Sequence, residues 1–229
     1  MTDKQTKLIN LVLSHEGFYA NVAGDNGGET YMGISRKAFP RWSGWQIVDK
    51  SKPLKYNQHI KDNDLDNMVR RLYFNNFYEP LHIDEIQSME ISAHLLDHSV
   101  NAGIKPGVKL LQKAINASSK SKLKVDGILG PLTLETLANA NQEEVVENII
   151  FMRNQFYKDI VARKPAQKKF LKGWLNRVSD TTHKVQPSTI SLLYTQAKQE
   201  GWIPKILGFI YDTMQIFKGK GTSGDEIEN

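Results

Sequence analysis

Residues 17–35 carry five glycines in a chain that otherwise reads as a succession of helices. A helix cannot run through that density, because each interior glycine costs about 1 kcal/mol relative to alanine. The run Gly24-Asp25-Asn26-Gly27-Gly28 is a turn signal, and Glu29–Ile34 after it reads as a short strand. On both sides the period is helical. Residues 2–16 open with Thr2 and Gln5, a capping box, and Leu8, Ile9, Val12 and Leu13 recur at helical spacing. Glu16 falls on the apolar side of that helix end, and Gly17 stops the helix. Segments 62–78, 88–100, 106–117, 131–140, 143–162 and 167–178 continue the pattern, with Gly130-Pro131 as a helix start. The polar stretch 118–124 is the expected boundary between subregions. Ile203, Ile206, Leu207, Ile210, Met214 and Phe217 mark a last amphipathic helix, and 219–229 is expected to be a disordered tail. The fold class is mainly α: a helical bundle with a small β element near residues 25–35.

Composition removes several chemistries. The chain has no cysteine, which excludes disulfides, thiolate metal sites and a cysteine nucleophile. Its 229 residues allow one large domain or two small ones. A net charge of +5 favours polyanionic partners. No helix-turn-helix signature or basic–aromatic RNA motif accompanies it, so no nucleic-acid partner is expected. The basic cluster between Lys158 and Lys172 reads as a solvated helix face. No apolar run approaches the roughly 20 residues that cross a bilayer, so no stable membrane insertion is expected. Residues 1–19 lack the apolar run of a secretory signal, so the chain is expected to be made in the cytoplasm and delivered by other means. His94 and His98 have metal-ligand spacing, but Leu95 stands where a zinc peptidase needs glutamate. They read as packed or hydrogen-bonded histidines, and no metal or organic cofactor is expected.

Glu16, Asp25 and Thr30 carry the sharpest chemical pattern. A carboxyl group at an apolar helix end is poorly solvated, which favours its protonated form. A carboxylate in a glycine-rich polar turn stays ionised. Two carboxyl groups in contrasting environments are the acid and base of glycoside hydrolysis, and the Thr30 hydroxyl is placed to hold a water beside Asp25. The same residues also fit a helix end, a turn and a strand with no chemistry at all. Tyr19, Tyr31, Trp42 and Trp45 lie nearby in sequence, as sugar-stacking faces or as core.

Glu16-Gly17-Phe18-Tyr19 followed by Asp25-Asn26-Gly27-Gly28-Glu29-Thr30-Tyr31-Met32-Gly33-Ile34 resembles the signature of glycoside hydrolase family 108, bacterial and phage N-acetylmuramidases that include the secretion activator proteins. The chain departs at Phe18, where the family commonly has a second glycine. Tyr73–Pro80 resembles the segment closing the family's catalytic region. Asp97–Gly103, which contains the candidate substrate contact Asn101, resembles the start of its predicted peptidoglycan-binding region. Val125–Thr133 and Phe170–Val178 resemble later parts of that region, and the likeness covers about residues 5–180.

The resemblance implies a lysozyme-like α+β catalytic region over residues 1–90. A helical peptidoglycan-binding region over 91–185 is expected to pack on it, followed by a helical extension over 186–218. It implies a muramidase that cleaves peptidoglycan glycan strands between N-acetylmuramic acid and N-acetylglucosamine once it reaches the wall. Glu16 is then the general acid, and Asp25 with Thr30 handles the attacking water. The alternative is a non-catalytic wall-binding or secretion-associated protein on the same fold.

Overall fold

A computed structural model describes residues 1–22, 28–120 and 122–185. Asp25, the helical extension over 186–218 and the tail over 219–229 lie outside the described residues. Residues 1–185 form one compact unit.

Helix α1 (Asp3–Leu13) begins with the expected capping box: Gln5 N donates to Thr2 Oγ1 at 3.3 Å and Thr2 N donates to Gln5 Oε1 at 2.9 Å. It ends at Leu13 rather than Glu16. His15 N donates to Val12 O at 3.0 Å and Glu16 N to Leu13 O at 3.1 Å, so the chain tightens into i→i+3 turns. Glu16 therefore leaves the helix in a turn.

The β element is three two-residue strands, β1 (Tyr19–Ala20), β2 (Thr30–Tyr31) and β3 (Ile34–Ser35), antiparallel in that order. Thr30 pairs with Ala20 and Ser35, and Tyr31 with Tyr19 and Ile34. Met32 and Gly33 join β2 to β3 with φ of 46° and 75°. Positive φ at both central residues is the requirement of a type I′ hairpin turn, which matches strand twist. The hairpin is clamped from outside. Glu29 pairs with Arg36 and with Lys52 (2.8 Å), and both cations also reach Asp49 of α2 (Trp45–Lys50) at 2.7 Å.

Helix α3 (Asn63–Tyr73) is capped by Asp62, whose Oδ1 accepts from Leu65 N at 2.8 Å. It passes into a π turn over Phe74–Tyr78 before Pro80. Then come α4 (Met89–Ala102), α5 (Ile104–Ser118), α6 (Pro131–Ala138), α7 (Gln142–Arg163) and α8 (Lys168–Val185). Helix α4 is the axis of the unit. Every residue from Ile91 to Ser99 is buried, and α1, α5, α7 and α8 pack around it. Such a helix should be apolar on all sides, yet it carries His94, Asp97 and His98. Buried polar groups of this kind need partners, and supplying them builds the site.

The 118–124 stretch is a connection inside the compact unit rather than a boundary. Asn116 fastens it, donating to Leu123 O at 2.9 Å and accepting from Leu123 N at 2.7 Å. The Asp126-Gly127 turn is pinned by buried Gln112 of α5. Its Oε1 accepts from Gly127 N at 2.9 Å, and its Nε2 donates to Asp126 Oδ1 at 2.9 Å. Packing against α5 thus accounts for that motif.

Candidate active site

The carboxyl group of Glu16 is held asymmetrically. Arg177 of α8 donates from Nη2 to Oε1 at 3.0 Å. The other oxygen faces the hairpin turn, where a Cβ built on Gly33 would lie 2.6 Å from Oε2 and 2.5 Å from the Tyr73 hydroxyl. Only glycine satisfies both the φ of +75° and that close approach. Tyr73 donates to Met32 O at 2.8 Å, which ties α3 to the turn. Burial first, and the Glu16 charge second, push the Tyr73 phenol far above its ordinary range. It stays a neutral donor.

Behind Glu16 sits Asp97, with a fully buried side chain. Its Oδ1 accepts from Arg177 Nε at 2.8 Å and faces His15 Nδ1 at 3.2 Å. Its Oδ2 accepts from Arg153 Nη2 and, at 3.4 Å, from the Thr181 hydroxyl. Burial alone would raise the Asp97 pKa, but His15, Arg153 and Arg177 outweigh it and hold the group below the usual carboxylate range. The other ring nitrogen of His15 lies 2.6 Å from Asp180 Oδ2, and Lys184 pairs with Asp180 at 2.7 Å. One buried charge network therefore joins the turn after α1 to α4, α7 and α8.

His94 belongs to this network. Arg153 Nη1 lies 2.6 Å from its Nδ1, and Thr182 Oγ1 lies 3.2 Å from its Nε2. Burial and then the Arg153 charge push His94 down to about 3, and His98, packed edge-on against Phe156, down to about 4. Both are neutral packed histidines at physiological pH.

The other sequence candidates divide. Thr30 stands in the central strand of the sheet. Tyr31 is a correction: it is 0% exposed, and its hydroxyl accepts from Ile60 N at 3.3 Å, so it is core rather than a stacking face. Tyr19 and Trp45 are buried in the same way, with Trp45 Nε1 donating to Phe39 O at 2.8 Å. Trp42 is half-buried and meets Trp45 edge-on at 5.1 Å, which leaves it the most accessible of the four aromatics. Asn101 is exposed at the end of α4, where its Nδ2 donates to Asp97 O at 3.0 Å and closes its own helix. Phe18 rests on His59 with ring centres 4.5 Å apart, and its N donates to Asn57 Oδ1 at 2.9 Å, fixing the backbone just after Glu16. A groove of about 310 Å³ runs beside the site, lined by Asn10, Leu13, Ser14, Met32, His59, Asp66 and Arg70. Among the described residues no helix is long and apolar enough to cross a membrane.

Sequence reasoning missed Arg177, Asp97, Tyr73 and Gly33 as parts of one site. All four lie in segments that resemble the family, but nothing local in the sequence pairs them.

Family comparison assigns the two halves. Residues 9–103 match the model described as glycosyl hydrolase 108. Residues 9–103 are a glycosyl hydrolase 108 domain. Residues 106–179 match a second model, described as a predicted peptidoglycan domain. The structure of Brucella abortus SagA shares the fold, with a TM-score of 0.57 and 22% identity over 79% of this chain and 92% of that one. No curated protein matches the sequence. The mainly helical unit with its small antiparallel sheet is a lysozyme-like fold, and the two family matches support a peptidoglycan-related hydrolase. The glycosyl hydrolase 108 domain supplies Glu16, Thr30, Gly33, Tyr73 and Asp97. Arg153 and Arg177 come from the predicted peptidoglycan domain.

Proposed function

We propose that the protein is an N-acetylmuramidase that cleaves the β-1,4 bond between N-acetylmuramic acid and N-acetylglucosamine in peptidoglycan, acting on the wall after release or export. The observation that carries this reading is the carboxyl group of Glu16. One oxygen is anchored by Arg177 and the other is set against the glycine turn, inside a glycosyl hydrolase 108 domain. Glu16 Oε2 gives its proton to the glycosidic oxygen as the bond to the anomeric carbon breaks. Water attacks that carbon from the opposite face, and Asp25 takes the proton the water loses while Thr30 holds the water in line. Glu16 ends ionised and Asp25 protonated, and exchange with solvent resets both. Displacement by water inverts configuration. In the groove, Asn10 and Arg70 offer amide and guanidinium donors to a glycan strand beside the apolar Leu13 and Met32.

The test is clearance of a purified wall suspension by wild type and Glu16→Gln. The variant keeps the shape and loses the transferable proton, and general acid catalysis is worth about 10²–10⁴-fold. Equal clearance by both proteins removes Glu16 from the mechanism. No clearance by either returns the chain to the non-catalytic reading.

A further inference from the structure

The Arg177 guanidinium is the one described cation in contact with Glu16, and it arrives from a helix 161 positions away in sequence. We propose that Arg177 is the positioning residue of the acid: it fixes Oε1, leaves Oε2 as the proton-bearing atom, and stabilises the carboxylate left behind when the proton is given up. This rests on the muramidase reading for its chemistry, while the geometry stands independently of it.

Three features support the assignment. First, the two oxygens of Glu16 have different neighbours. Oε1 has a charged donor at 3.0 Å, whereas Oε2 faces the Gly33 turn, where the Tyr73 hydroxyl is already committed to Met32 O. A proton on Oε1 would face a guanidinium N–H, so protonation falls on Oε2. Second, Arg177 has a fixed aim. Its Nε is bonded to buried Asp97, and Asp97 is gripped from the other side by Arg153, so the Nη2 fork is delivered at a set angle. Third, the charges balance. Arg177 and Arg153 face Asp97 and Glu16, two against two, with His15 and Asp180 alongside and Lys184 beyond. The predicted peptidoglycan domain is in this respect part of the catalytic apparatus, since α8 carries the group that orients the acid.

The placement has a signature that general damage to the fold does not produce. Removing the cation makes Glu16 hold its proton to higher pH and give it up less readily. In Arg177→Met the alkaline limb of the pH–rate profile moves upward by about 1 pH unit, while the plateau rate falls about 10-fold to 100-fold. Arg177→Lys retains the charge without the two-pronged geometry, so it keeps the limb near its wild-type position and recovers part of the rate. The same upward movement appears in a carbon NMR titration of the Glu16 carboxyl group, which needs no turnover. A folded Arg177→Met with an unmoved limb and an unmoved titration overturns the proposal. If Arg177→Met does not fold, the proposal is tested in Glu16→Gln. There the guanidinium N–H signals of Arg177, recorded by NMR, must differ from those of wild type, and identical signals in the two proteins overturn it. An inactive wild type would end the muramidase reading and leave the NMR result to decide this one.

Discussion

Gly33→Ala places a methyl group between the two side chains that define the site, and its cost can be worked from the geometry. The new Cβ lies 2.5 Å from the Tyr73 hydroxyl and 2.6 Å from Glu16 Oε2. Moving Oε2 from 2.6 Å to an ordinary contact near 3.4 Å is a displacement of about 0.8 Å. Tyr73 is buried and bonded to Met32 O, so it cannot give way cheaply. The carboxyl group of Glu16 has to yield. Alanine at φ +75° costs about 1–2 kcal/mol, and the forced displacement adds about 1–3 kcal/mol. For a unit of this size that lowers the melting temperature by about 4–20 °C. Misplacing the acid by nearly 1 Å costs about 10²-fold in rate. The comparison is Gly103→Ala, where φ is +98° but the nearest neighbour of a Cβ, Pro106 Cδ, is 3.6 Å away. It carries backbone strain without the collision, so stability falls and wall clearance below the melting transition is retained. Calorimetry and wall clearance on both variants make the test. Wild-type clearance by Gly33→Ala would refute the close approach of the turn to Glu16.

The remaining predictions concern pH, the water side of the reaction and its stereochemistry. His94 and His98 are neutral in the fold, near 3 and 4, and charge more readily when unfolded, so stability drops as pH falls below about 6.5. Each contributes a loss of about 2 kcal/mol between pH 6.5 and pH 5. The depressed Asp97 group acts in the same direction at lower pH, where its stabilisation is lost below the usual carboxylate range. Denaturant unfolding at pH 7 and pH 5 measures this, and equal stabilities contradict it. Asp25→Ala should cost more activity than Thr30→Ala, because a carboxylate can take the proton and a hydroxyl only positions the water; the reverse order in wall clearance contradicts those roles. The newly formed reducing end should appear first as the α-anomer, read by NMR before mutarotation. A β-anomer appearing first means retention and a different role for Asp25.

Local signals carried the helices and the turn. Thr2 and Gln5 announce α1, Gly130-Pro131 announces α6, and the glycine run marks the one place where strands form among the described residues. The end of α1 was misplaced because Leu13 and Glu16 lie on the same helical face whether or not the last turn tightens. Glu16 was legible as a chemical residue, but its setting was not. An apolar helix end was expected, and Arg177 stands there instead, brought across 161 positions by the packing of α8 on α4. His94 and His98 read as packed or hydrogen-bonded histidines, but the Arg153 and Thr182 that meet His94 come from α7 and α8, and nothing near α4 in the sequence names them. Tyr31 and Trp45 show the same ambiguity from the other side. An aromatic ring near a site has one composition whether it stacks on a sugar or fills the core, and only burial separates the two.

The central claim is that Glu16 gives a proton to the bond that follows N-acetylmuramic acid. Its most direct test is digestion of purified peptidoglycan by wild type and by Glu16→Gln, with the new reducing ends converted to alditols by borohydride and identified by mass spectrometry. Reduced muramic acid ends should accumulate with wild type and be nearly absent with Glu16→Gln. Reduced glucosamine ends, or muramic acid ends formed equally by both proteins, would contradict the account.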